Sequence, residues 1–162
     1  LLQISPLQES FMTGKIDPNA APTRFGTGYP PPYDAPCAGR RRWRLGEAAG
    51  LTQFGVNLLR LPPGQWSSQR HWHAQEDEFV YVLEGEVVLV TDAGATVMRA
   101  GDCAGFKAGD ADGHHLQNRS DQEAVMLEIG SRQPGEAVDY PDIDLMIAAG
   151  AAAYAHKDGR PY

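Results

Sequence analysis

The chain has 162 residues, 42% hydrophobic and 22% charged. That is the size and composition of one globular domain and excludes a disordered chain. A formal net charge of -7 makes nucleic acid and anionic membrane poor partners, and no apolar run approaches the ~20 residues of a membrane span. The 18 glycines and 12 prolines argue for many turns and short strands, against a helical bundle. Cys37 and Cys103 are the only cysteines, too few for a disulfide framework, and are read as free thiols of a cytoplasmic protein. Leu1 to Met12 lacks the basic start, long apolar run and small-residue cleavage site of a signal peptide. Met12 is read as the initiator, with the first eleven residues extraneous.

In chain order, residues 1–39 carry Pro18, Pro22, Pro30, Pro31, Pro32 and Pro36 with little hydrophobic periodicity. They are expected to form an extended arm packed on the main body or on a partner subunit. Arg40-Arg41-Arg42-Trp43-Arg44 follows. In an acidic chain without a nucleic-acid motif, it is expected to have a structural or anion-contacting role. Strands begin near Leu51, where Phe54, Val56 and Leu58 alternate with smaller or polar residues up to Pro62-Pro63-Gly64. Glu78 to Glu84 is apolar on both faces, and Glu84-Gly85-Glu86 reads as a tight hairpin into Glu86 to Thr91. Ala95 to Arg99, Cys103 to Phe106, His114 to Asn118 and Glu123 to Ile129 complete the series. Short strands at this spacing predict a β-sandwich or barrel over residues 40–131. Residues 132–162 read as a tail, with Tyr140 to Asp144 an ordered loop and Ala148 to Ala155 either one helical turn or a frayed strand.

The chemistry is concentrated in His71-Trp72-His73, Glu78 and His114. Side chains two apart on a strand share a face, with α-carbons ~6–7 Å apart, so two imidazoles can converge on one ion. Ala74 to Asp77 is a polar break at which the chain can turn. The strand opened by Glu78 is then expected to run back beside the histidines and deliver a carboxylate. His114 opens a later strand and offers a third imidazole. Three imidazoles and a carboxylate suit divalent zinc, iron, manganese or nickel, not calcium or magnesium. Four protein ligands leave positions open for water or substrate on an ion that accepts five or six. The competing reading is of histidines satisfied in the core or at the surface.

These residues resemble a family. Gly64, His71-x-His73, Glu78 and Gly85 resemble the first motif of the cupins, and Gly101-Asp102, Gly109 and His114-xxx-Asn118 resemble the second. Together they span roughly residues 55–130. The gap from Gly64 to His71 is one residue longer than usual. Lys107 stands where the family usually has proline, and four residues rather than two separate Gly109 from His114. His115 is therefore an alternative third imidazole, although the His-xxx-Asn spacing selects His114. The resemblance implies an all-β double-stranded β-helix, or jelly-roll barrel, with a metal bound by residues matching His71, His73, Glu78 and His114. It also implies a single-domain cupin of the kind that commonly forms a homodimer, similar to a bacterial group of small cupins without a settled activity.

Trp66, Trp72, Phe79, Tyr81 and Phe106 are expected either to surround the site or to be core. Arg70 is expected in a surface ion pair, with a carboxylate substrate as the alternative. Glu76 and Asp77 read as the turn before Glu78, with a general base or the ligand in place of Glu78 as alternatives. The functional expectation is a metal-dependent enzyme acting on an oxygen-bearing small molecule by oxygenase, isomerase or lyase chemistry. The alternative is a non-catalytic small-molecule or metal-binding module or sensor. A nucleic-acid-binding regulator rests only on Arg40 to Arg44.

Overall fold

The computed structural model describes residues 14–162; the reading of Met12 as initiator falls outside the described residues. The strands are β1 (Thr23–Phe25), β2 (Arg41–Arg44), β3 (Phe54–Leu61), β4 (Trp72–His73), β5 (Glu78–Glu84) and β6 (Glu86–Thr91). They continue with β7 (Gly94–Arg99), β8 (Cys103–Phe106), β9 (His115–Gln117), β10 (Ala124–Ser131), β11 (Val138–Tyr140) and β12 (Leu145–Ile147). One helical turn, α1 (Leu45–Ala48), separates β2 from β3. Among the described residues no helix is long and apolar enough to cross a membrane.

One layer is a six-stranded sheet in the order β1-β2-β3-β10-β5-β8. The other consists of two three-stranded sheets, β7-β6-β9 and β12-β11-β4, linked by isolated bridges between Trp66 and Gln117 and between His71 and His114. All pairings are antiparallel, giving a double-stranded β-helix. Leu59, Leu61, Val80, Val82 and Met126 of the large sheet pack against Val87, Met98 and Leu116 of the small one. This alternation of inward apolar residues makes the principal core.

The chain departs from the sequence reading at several elements. Glu84-Gly85-Glu86 is not a hairpin, because β5 pairs with β10 and β8 while β6 pairs with β7 and β9. Gly85 is the corner where the chain changes sheets. Its φ is +76°, and a Cβ there would stand 2.9 Å from the Glu123 carbonyl oxygen. β5 is apolar on both faces, and only one of them is buried. Val80 and Val82 are buried, while Phe79, Tyr81 and Leu83 are each 39% exposed on the outer face. The stretch 148–155 is neither helix nor frayed strand but turns, ending in a bridge from Ala155 to Met146.

The proline-rich stretch contributes β1 to the edge of the large sheet, and the tail contributes β11 and β12. Tyr29 and Cys37 from the former meet Val138, Tyr140 and Leu145 from the latter in a second core. Both cysteines are free, Cys37 buried and Cys103 exposed.

Candidate metal centre

The site forms where the second core meets the barrel interior. His71 and His114 exchange both backbone hydrogen bonds, N to O distances 3.2 and 2.8 Å. Residues directly opposite in an antiparallel pair point to the same face, so this bridge aims both imidazoles inward. It also decides the register. His115, the next residue, faces the other way: it donates through Nδ1 to the Ser68 carbonyl at 2.9 Å and packs edge-on against Trp66. His73, two residues beyond His71, is inward on β4, whose hydrogen-bonded neighbour is β11. The expectation that the strand opened by Glu78 pairs beside the histidines is therefore corrected. β5 lies in the opposite layer, and Glu78 reaches the imidazoles across the barrel.

Three Nε2 atoms converge on one carboxylate oxygen. Glu78 Oε2 lies 2.8 Å from His114, 3.5 Å from His71 and 3.5 Å from His73. Two ligand bonds of ~2.1 Å meeting at right or tetrahedral angles leave donor atoms ~3.0–3.4 Å apart; the His71 and His73 separations lie close to that, while the His114 contact is a direct hydrogen bond. His71, His73 and Glu78 each offer a ligand atom within 4.8 Å of the others, a group able to hold a metal ion. The hydrogen bonding points the same way. His71 Nδ1 donates to the Gln69 carbonyl at 2.9 Å, a contact that orients the ring with Nε2 toward the centre.

Other residues fix the rings. Phe106 stacks on His114 with centroids 3.5 Å apart and planes within 2°, and Tyr140 stacks on His71 at 5.7 Å. Glu136 accepts from the backbone N–H groups of Ala74 and Gln75, 2.8 Å each, and its Oε1 lies 3.5 Å behind His73 Nδ1. No hydrogen bond joins them, and among the described residues His73 Nδ1 is buried without a partner. Sequence spacing gave no signal for Glu136 or Gln69, which act through folds of the chain far from the motif. Burial pushes the Glu78 carboxyl up, but hydrogen bonds from His114 and His71 and the nearby imidazoles outweigh it, leaving it well below the usual carboxylate range. Burial holds His114 below the usual imidazole value against the opposing hydrogen bond to Glu78.

Two cavities of about 390 and 430 Å³ meet at this centre and share His73, Glu76, Glu78 and His114. Glu76 lies in both walls, with Oε1 accepting from the Gln133 N–H at 2.8 Å. Asp77 lines neither cavity and accepts instead from the Ala108 N–H at 2.8 Å. Trp72 and Phe106 line one cavity and Phe79 the other. Trp66 packs into the second core, and Tyr81 points outward. Arg70 forms the expected surface ion pair, donating to both carboxylate oxygens of Asp142 at 2.7 Å and to Asp92 at 2.5 Å.

A two-layered antiparallel jelly roll with imidazoles and a carboxylate converging inside defines a barrel with a candidate metal centre. The sequence model of the cupin domain family matches residues 57–130. A crystal structure from Silicibacter pomeroyi, described as a sugar phosphate isomerase from a cupin superfamily, is 48% identical, with a TM-score of 0.86 over 92% of this chain and 96% of that one. A putative sugar phosphate isomerase from Acidithiobacillus ferrooxidans is 32% identical, with a TM-score of 0.68 over 73% of this chain and 75% of that one. A predicted oxalate decarboxylase from Thermotoga maritima, at 24% identity and a TM-score of 0.51 over 58% of this chain and 81% of that one, shares the fold. No curated protein matches the sequence. The chain belongs to the cupin superfamily.

Proposed function

We propose that the protein is a metal-dependent enzyme acting on an oxygen-bearing small molecule by isomerase-type proton transfer, with His71, His73, Glu78 and His114 as ligands. The carrying observation is the convergence of three Nε2 atoms on Glu78 Oε2, at the meeting of two cavities. The donor set favours divalent zinc, iron, manganese or nickel. The relatives described as sugar phosphate isomerases support hydroxy-carbonyl chemistry over oxygenation or lyase chemistry. A bound ion supplies Lewis acidity toward a carbonyl or hydroxyl oxygen.

The chain supplies the rest. Gln69 and Phe106 hold the His71 and His114 imidazoles in place before any ligand arrives. Glu76 is the carboxylate of the shared wall outside the ligand set and without a salt bridge among the described residues. It is assigned the proton transfer between adjacent carbons. The exposed outer face of the large sheet, with Phe54, Phe79, Tyr81 and Leu83, supports a homodimer. The two unbridged cysteines support a cytoplasmic location.

The test is elemental analysis of protein purified without chelator, followed by assays on aldose and ketose substrates. Close to one ion per chain is expected, with His71→Ala losing both ion and turnover. Undiminished turnover in chelator-stripped protein overturns the metal-dependent reading. A compound that raises the melting temperature but is always recovered unchanged assigns the site to binding alone.

A further inference from the structure

The five residues Arg40 to Arg44 are divided by the alternation of β2. Arg41 and Trp43 face outward, where Arg41 pairs with Glu123 and the Arg60 guanidinium lies 5.8 Å from the Trp43 ring. Arg40, Arg42 and Arg44 face the 390 Å³ cavity, where Arg24 and Arg132 join them. Five arginines thus meet only three carboxylates, Glu76, Glu78 and Glu128, in the wall of one cavity. The chain as a whole is net acidic at -7. The second cavity has the opposite balance, with Lys107 against Glu76, Glu78, Asp110 and Asp112.

Arg40 is buried and Arg42 half-buried, while Arg24 and Arg132 are exposed. Arg24 and Arg42 are direct cross-strand partners, and like charges in that position repel. Arg42 is neutralised by Glu128, with N to O distances of 2.6 and 2.9 Å. Arg44 contacts Glu47 through one terminal nitrogen at 2.7 Å, while its buried Nε has no partner. Neither Arg24 nor Arg132 has a carboxylate partner among the described residues. Arg132 lies flat on Gly55 of β3: a Cβ there would stand 2.7 Å from its terminal nitrogen. Arg24 covers Gly28 in the same way, also at 2.7 Å. Two glycines therefore make room for two guanidiniums without a carboxylate partner among the described residues, both in the wall of one cavity.

We infer that this end of the cavity is a subsite for a phosphate monoester, held by Arg24, Arg44 and Arg132 with the Arg42–Glu128 pair behind them. A phosphate monoester carries nearly two negative charges and three acceptor oxygens, matching several guanidinium edges where a single carboxylate needs one. β2 lies three strands from β5 in the sheet, ~14 Å at the usual spacing. The side chains of both strands reach inward, so the gap suits a short polyhydroxy chain with its phosphate at the arginines and its reacting end at the His–Glu centre. The inference rests on the proposed function for that reacting end. The anion subsite itself is read from the arginines.

The test is calorimetric titration of the full-length, metal-loaded protein with inorganic phosphate at fixed ionic strength, repeated after chelator treatment, with acetate as a single-charge control. Phosphate is expected to bind in both metal states, and acetate much more weakly. Arg132→Gln and Arg24→Gln are each expected to weaken phosphate binding by about tenfold, with melting temperature and metal content unchanged. Gly55→Ala, which displaces Arg132, is expected to reproduce the loss. Absence of phosphate binding, unchanged affinity in both arginine variants, equal affinity for acetate, or binding that vanishes with the metal overturns the subsite. Metal content and turnover do not enter this readout. A protein that binds phosphate through the arginines yet holds no metal refutes the proposed enzyme and leaves the subsite standing.

Discussion

His115, facing away from the centre, and Glu78, within it, tie stability to acidity in different pH ranges. Burial, opposed by the hydrogen bond to the Ser68 carbonyl, lowers His115 to about 4. The unfolded chain, with a value near ~6.5, then binds the proton more readily than the folded one. Stability from neutral His115 is complete above ~6.5 and is lost as pH falls toward 4, a loss of about 3 kcal/mol. The depressed Glu78 carboxyl acts lower, its contribution lost only as pH falls below the ordinary carboxylate range. Urea unfolding of chelated protein at pH 7 and pH 4.5 should show the first loss, and an NMR titration should find one imidazole still neutral at pH 5. Equal stability at both pH values contradicts the burial of a neutral His115. If Glu76 is the proposed general base, Glu76→Gln should lower kcat by ~10²-fold or more, with KM and metal content held. A fall in metal content instead would make Glu76 a ligand.

At the level of single residues, the convergence of the candidate ligands was legible because strand alternation is local. His71 and His73 share a face by spacing alone, and the His-xxx-Asn spacing singled out His114. What orients the ligands was not legible. Glu136 reaches His73 from the tail, Phe106 covers His114 from the opposite layer, and Gln69 acts through its carbonyl rather than its side chain.

Among the elements, Gly85 and the second core carry the mechanical load of the site. Gly85→Ala combines a left-handed φ with a close approach to backbone that cannot yield as a side chain would. It should destabilise the protein by ~1–3 kcal/mol in urea. Leu145 is fully buried between Tyr140 and the proline-rich stretch, so Leu145→Ala should cost ~2–5 kcal/mol. Because Tyr140 stacks on His71, the same substitution should also weaken metal retention in a chelator competition. The central strands β3, β5, β6, β7, β8, β9 and β10 were legible from apolar alternation bounded by glycine and proline. β1, β2, β11 and β12 were not. They are three or four residues long, and β2 alternates arginine with arginine and tryptophan, so no apolar period marks it. Their pairing is fixed by distant partners rather than local pattern, which is also why β11, not β5, was found beside β4.

For the molecule as a whole, charge and apolar surface are segregated. The large sheet turns arginines and Glu78 inward and Phe54, Phe79, Tyr81 and Leu83 outward. The proposed homodimer would cover that outer face. Light scattering after gel filtration should give twice the chain mass, and Tyr81→Glu should shift the protein toward monomer without loss of bound metal. A wild-type monomer at micromolar concentration contradicts the dimer. The fold itself was accessible because two motifs span the barrel, whereas the charged cavity was not. Arg24, Arg42, Arg44 and Arg132 meet only when both ends of the chain are folded onto the sheet.

The central proposal is a single transition-metal ion held by His71, His73, Glu78 and His114. Anomalous diffraction from crystals grown with manganese, recorded on both sides of the metal absorption edge, addresses it most directly. The expected result is one peak per chain within ~2.0–2.3 Å of the Nε2 atoms of His71, His73 and His114 and of a Glu78 oxygen. A protein fully occupied by manganese elsewhere, or showing no peak between those groups at saturating metal, would contradict it.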